Sequence, residues 1–416
     1  MNMKLRLTVM NFLQFAVWGA WLITLGKYLG GSELQLGSKI GSFYATMGLG
    51  SLFMPAVMGI IADRWIPAQK LLGICHLIAA AFMVFAAQQT EYAMLYSSIL
   101  LSVMFYMPTI ALSNSVAYSA LEKAGLDTVA SFPPIRVWGT VGFIAAMWCV
   151  DLFEFGHNAS QLYFSAALGV ALGLYAFTLP ACDIAAASGE RRSLVDNLGL
   201  RAFSLFKEPR MALFFIFSMM LGMMLQITNA YGDSYIHSFS DVAAYADAFF
   251  VKHSTILISL SQISETLCIL LIPFFLKRFG IKRVMLISMI AWFLRFALLG
   301  AGNPGGGVWM FFISMIVYGV AFDFFNISGS LFVNRETSSE IRSSAQGVFM
   351  IMTNGIGAII GSYAAQGIVN STLSESGKQS PLSWYIFAAF AIVMALVFAV
   401  TFRYKHNPEE TTTVTH

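Results

Sequence analysis

Four ionisable side chains sit well inside long apolar runs of this 416-residue chain: Arg136, Glu265, Arg295 and Asp323. A charge at bilayer depth costs about 2.5–3.5 kcal/mol even on lenient scales, so such groups face a cavity, a partner or a transported species. Two are acids and two are bases, which permits neutralisation in pairs. Neutral polar groups surround them: Gln226 and Asn229 in one run, Gln262 before Glu265, Asn326 after Asp323, and Gln346 and Asn354 later in the chain. Spacings of three and four put side chains on one helical face. Gln226 with Asn229, and Gln262 with Glu265, therefore each present a polar pair to one cavity. Interhelical hydrogen bonding accounts for Gln14, Asn326, Gln346 and Asn354 more readily than a site does, and Arg295 reads equally as a counter-ion to a neighbouring helix. A carboxylate is more than such bonding requires. Glu265 and Asp323 thus point to ion or proton handling, and Arg136 to holding a carboxylate ionised or gripping a substrate oxygen.

Aromatic residues share these faces. Thr140 and Phe143 follow Arg136 within two helical turns, Tyr318 precedes Asp323, and Phe322 adjoins it. A cavity with aromatic plates, several amides and few charges suits a flat, neutral solute rich in hydrogen-bonding groups. A nucleoside fits, its base on a ring and its ribose and base edge on amides, and a sugar fits nearly as well. Most of the 37 Phe, 15 Tyr and 8 Trp must nonetheless be packing or interface belt.

The elements that position these residues are membrane helices. The chain is 58% hydrophobic and 11% charged, where soluble domains carry about a quarter charged residues. At about 20 residues per crossing, its length accommodates roughly a dozen spans. Apolar runs predict them at 6–29, 42–62, 70–88, 93–119, 133–151, 161–181, 211–231, 253–276, 283–302, 308–332, 343–369 and 382–402. The first follows Lys4 and Arg6, lacks a small-residue cleavage site and reads as a retained helix. Pro133 and Pro134 are expected to start the fifth. The expected organisation is an N-terminal bundle over 1–181, a polar central loop over 182–210, a C-terminal bundle over 211–404 and a tail over 405–416.

Basic residues give an independent check. With the N-terminus in the cytoplasm, only Lys27, Lys39, Lys252 and Lys378 fall on the outer side. Every other Lys and Arg outside the spans falls on the cytoplasmic side, and both termini with it. The net charge of +3 gives no reason to expect nucleic acid. The four cysteines, Cys75, Cys149, Cys182 and Cys268, share no CxxC spacing and read as buried hydrophobes.

Two turns echo each other. Gly59-x-x-x-Asp63-Arg64 follows the second span, and Pro273-x-x-x-Lys277-Arg278-Phe279-Gly280-x-Lys282-Arg283 follows the eighth. This resembles the loop signature of the major facilitator superfamily, although the first copy lacks a glycine and the second lacks the acid. The fold implied is all-α, with twelve transmembrane helices in two six-helix bundles around a midplane site. The strings FPPIRVWGT (132–140), LQITN (225–229), SQISET (261–266), IPFFL (272–276), YGVAFDFFNISGS (318–330) and SAQG (344–347) resemble the bacterial nucleoside:proton symporter family. The likeness runs from Asn11-Phe-Leu-Gln-Phe and Trp18-Gly to Tyr404-Lys-His.

That resemblance implies a proton-coupled nucleoside importer of the bacterial inner membrane, working by alternating access, with xanthosine a candidate substrate. It places substrate binding on Arg136, Thr140, Phe143, Gln226, Asn229, Gln262, Glu265, Tyr318 and Phe322. Proton coupling falls to Asp323 and Glu265, their protonation tuned by Arg136. Its expected partners are nucleosides, protons and the lipid bilayer, with no cofactor, metal, nucleic acid or obligate protein partner. The alternatives are a sugar, oligosaccharide or drug carrier on the same fold, a passive facilitator, and a membrane enzyme. A facilitator leaves the two carboxylates unexplained, and the chain has no HExxH or GxSxG motif.

Overall fold

The computed structural model describes residues 2–183, 200–338, 341–374 and 378–404. Most of the expected central loop, including Glu190, Arg191, Arg192 and Asp196, and the tail 405–416 lie outside the described residues. Among the described residues every element is helical. In lipid, a helix satisfies its backbone polar groups within one segment, so helices are what apolar runs of this length can form. The chain divides into two compact units, Met1–Asn197 and Leu198–His416.

The first unit opens with α1 (Met3–Gly19) and, after a turn, the short α2 (Leu25–Gly30). There follow α3 (Ile40–Arg64), α4 (Ala68–Ala86), α5 (Tyr92–Lys123), α6 (Thr128–Leu152) and α7 (Ser160–Ala176). Helix α1 packs along α6 because glycines remove the side chains at the crossing. A Cβ on Gly19 would strike the backbone of Phe143, and one on Gly142 the backbone of Phe12. Close backbone approach through small residues is the usual way helices associate without a hydrophobic driving force. The expectation for the fifth span is corrected: α6 begins at Thr128, and Pro133 and Pro134 lie inside it. A proline ring removes one helical hydrogen bond, a loss that membrane helices tolerate where neighbouring groups restore partners.

The second unit contains α8 (Pro209–His237), α9 (Ser254–Ala301), α10 (Val308–Glu336) and α11 (Arg342–Met350). A π-helical stretch over Ile351–Gly357 leads into α12 (Ala358–Ser371), and α13 (Pro381–Thr401) closes the unit. Helix α9 is two antiparallel spans. It reverses at Gly280, whose φ of 75° only glycine adopts without strain. The Arg295 guanidinium donates to Ser261 Oγ at 3.2 Å, whereas a straight helix would separate these residues by about 50 Å. Helix α10 packs along both halves of α9, with Ser264 donating to the Ile316 carbonyl and Ser288 to that of Ala321.

Nine helices among the described residues are long and apolar enough to cross a membrane, with Ser160–Ala176 shorter and apolar. The reversal in α9 adds a crossing, and α1 with α2 spans the first apolar run. Twelve crossings result.

Candidate functional site

In the second unit the site is built around α10. Asp323 is 3% exposed, and its Oδ2 has no hydrogen-bond partner among the described residues. Glu265, half-buried on the first half of α9, lies within its electrostatic reach. One turn apart on α10, the rings of Tyr318 and Phe322 stack with centroids 6.1 Å apart and planes 10° from parallel. Tyr318 is held from three sides. Its ring meets Trp292 edge-on at 5.9 Å, its hydroxyl lies near the Gln262 amide, and the Arg295 guanidinium lies 4.6 Å from its centroid. The structure thus brings together five residues that the sequence singled out: Gln262, Glu265, Tyr318, Phe322 and Asp323.

Of the two readings of Arg295, the counter-ion finds no carboxylate partner among the described residues. Arg295 is 1% exposed and donates to the Ser314 carbonyl at 2.7 Å as well as to Ser261. Ser314 Oγ donates back to the Arg295 carbonyl at 3.0 Å. Among the described residues the guanidinium meets dipoles and an aromatic face rather than a carboxylate, and its Nε has no hydrogen-bond partner. A desolvated arginine over a ring gains about 2 kcal/mol.

Gln226 and Asn229 stand one turn apart on α8. Gln226 is buried with an Oε1 that accepts no hydrogen bond among the described residues, and Asn229 is half-buried. Asp233, one turn further along this face, is a second buried carboxylate of this unit and accepts from Thr255 Oγ1 at 3.2 Å. It was missed because the apolar run ends near 231 while the helix continues to His237. Its spacing from Asn229 was the available signal.

In the first unit the three predicted residues lie along α6. The Arg136 guanidinium covers the Phe15 ring at 4.0 Å, Thr140 is half-buried, and Phe143 meets Trp18 edge-on at 6.3 Å. Trp18 continues onto Tyr106 at 5.8 Å. Behind these rings lies a buried network that sequence reasoning found only in part. Gln14, read as interhelical bonding, donates to Thr109 Oγ1 at 2.7 Å and pairs with His76 Nε2 at 2.8 Å. Tyr106 donates to the Gln14 carbonyl at 2.8 Å. His76 is fully buried in α4, and an imidazole in mid-run was its signal. Gln346 also bonds between helices, donating to the Ser330 carbonyl at 2.7 Å and to Asn334 at 3.0 Å.

Chemically, these groups can stack on planar rings, hydrogen-bond polar edges, and take up or release a proton at a carboxylate. Comparison with known proteins points the same way. The model of the nucleoside H+ symporter family matches residues 1–407. The xanthosine permease of Escherichia coli K12 is 48% identical over 411 residues, covering 99% of this chain and 98% of the permease. Nucleoside permease NupG of the same organism is 49% identical, with both chains covered completely. A crystal structure of nucleoside transporter NupG superposes with a TM-score of 0.91 at 48% identity, covering 97% of this chain and all of the other. Peptide transporters of the POT family, 13% identical with a TM-score of 0.69, share the fold.

Proposed function

The chain belongs to the nucleoside H+ symporter family, and from that premise we propose how its own residues divide the work of binding and coupling. The activity is proton-coupled nucleoside import by a multi-pass inner-membrane protein of the major facilitator fold. A proton gains about 2.3 kcal/mol per 100 mV of membrane potential, enough to concentrate a neutral solute some tens-fold.

Tyr318, Phe322 and Phe143 provide planar surfaces for the nucleobase. Gln226, Asn229, Gln262 and Glu265 take its polar edge and the ribose hydroxyls, with Arg136 and Thr140 adding donors. Asp323 and Glu265 carry the coupled proton. The observation that carries this reading is Asp323, a buried carboxylate beside a second acid and the stacked Tyr318–Phe322 pair. A buried carboxylate without its full set of hydrogen bonds is costly when ionised, so its charge state responds to what binds beside it. Alternating access, cytoplasmic termini and a substrate range that includes xanthosine complete the proposal. The 48% identity to a xanthosine permease supports that range.

Uptake of radiolabelled uridine into cells expressing the protein tests the division. Accumulation above the external concentration should vanish with a protonophore, and xanthosine should compete. Accumulation that survives the protonophore would remove the role given to the carboxylates.

A further inference from the structure

The reversal of α9 carries more positive charge than a turn requires. Lys277, Arg278, Lys282 and Arg283 surround Gly280, and Arg403 follows α13 at the same end of the unit. No acid balances them along these elements, for the sequence has no Asp or Glu between Glu265 and Asp323, nor between Glu375 and Glu409. Between the bend and the end of α13 lies a cavity of about 460 Å³, lined by Phe279, Lys282, Arg283, Leu286, Ala399 and Tyr404. Ligand pockets commonly occupy about 300–1,000 Å³.

We propose that this cavity binds a phosphate-bearing anion, and that the lining selects the head group of an anionic phospholipid. Lys282 donates to the Ala399 carbonyl at 3.0 Å, which uses one of its three N–H groups and fixes the ammonium at the cavity wall. Arg283 is exposed and makes no hydrogen bond or ion pair among the described residues, leaving its planar fork for two phosphate oxygens. The Tyr404 ring is anchored edge-on against Phe332 at 5.4 Å, which sets a phenol beside the two cations. Phe279 and Leu286 form the rest of the wall, a surface for glycerol and the start of an acyl chain rather than for a hydrated ion. The turn caps two membrane spans, at head-group depth. With the proposed orientation it faces the cytoplasmic leaflet, where anionic lipids concentrate and basic pockets between helices hold their head groups.

The test uses the full-length protein in a non-ionic detergent, titrated with short-chain phosphatidylglycerol, short-chain phosphatidylcholine and inorganic phosphate. Phosphatidylglycerol should bind tenfold or more tightly than phosphatidylcholine, and equimolar phosphate should not displace it. Arg283→Gln alters an exposed side chain and should weaken binding about fivefold; adding Lys282→Gln should bring the loss to about twenty-five-fold. Lys252→Gln, which removes the same charge elsewhere, should bind as wild type. Equal affinity for the two lipids, undiminished binding by both cavity variants, or an equal loss in Lys252→Gln would overturn the site. Displacement by equimolar phosphate would assign it to free anions and overturn the lipid reading.

Discussion

The guanidinium of Arg295 lies face-on over the ring of Tyr318, 4.6 Å from its centre, and both side chains are buried. Arg295 belongs to the second half of α9 and Tyr318 to α10, while Ser261, which Arg295 also contacts, comes from the first half. One cation therefore joins three spans at the residue whose ring also stacks on Phe322 and meets Trp292 edge-on. Tyr318 is positioned from behind, and its stacking partner Phe322 is half-buried.

Arg295→Lys keeps the charge but loses the planar fork and its stacking, and Arg295→Met loses the charge as well. Cation–π contacts contribute about 0.5–2 kcal/mol. Uridine affinity, measured by equilibrium binding to purified protein, should fall several-fold in the lysine variant and about tenfold or more in the methionine variant. Binding by Arg295→Met equal to wild type, in a variant that still folds, would show that Tyr318 needs no cation behind it.

Phe322→Leu removes the ring stacked on Tyr318 while keeping an apolar side chain. An aromatic pair contributes about 0.5–1.5 kcal/mol beyond its buried area. Uridine and adenosine binding should therefore weaken from severalfold to about tenfold, and free ribose and lactose should not compete in either protein. Unchanged nucleoside affinity would remove Phe322 from the stacking surface.

Gln262→Ala takes away the amide near the Tyr318 hydroxyl, which the proposal gives to the polar edge of the substrate. A buried donor or acceptor left unsatisfied costs about 1–3 kcal/mol. Affinity should drop by tenfold or more, with Gln262→Glu recovering part of the loss. Full affinity in the alanine variant would place Gln262 outside recognition.

Orientation is open to labelling. In a background with its native cysteines replaced, Gly306→Cys, between the ninth and tenth spans, should react with an impermeant thiol reagent in intact cells. Lys207→Cys, before α8, should react only after the membrane is opened. The reverse pattern would invert the topology.

Much of this was legible because membrane helices announce themselves locally. The Tyr318–Phe322 pair and the Gln262–Glu265 pair follow from spacing along one helix, and the α9 reversal from a glycine among basic residues. The contacts that escaped are those between helices. Periodicity identifies a face but not the helix it meets, so Arg136 over Phe15, and His76 with Gln14 and Tyr106, could not be paired from spacing. Arg295 was ambiguous for the same reason: nothing local says that a buried arginine will meet a ring instead of an acid. The start of α6 was misread because prolines usually mark helix starts, yet here they sit within one.

Coupling is the central claim, and accumulation against a gradient tests it most directly. Purified wild type, Asp323→Asn and Glu265→Gln would be reconstituted into liposomes, and labelled uridine uptake measured with an imposed pH gradient and without one. An amide keeps the shape of the carboxyl but cannot titrate. The wild type should concentrate uridine only with the gradient. At least one amide variant should lose that response while still exchanging uridine at equilibrium. If both variants accumulate uridine as the wild type does and still respond to the gradient, neither carboxylate carries the coupled proton.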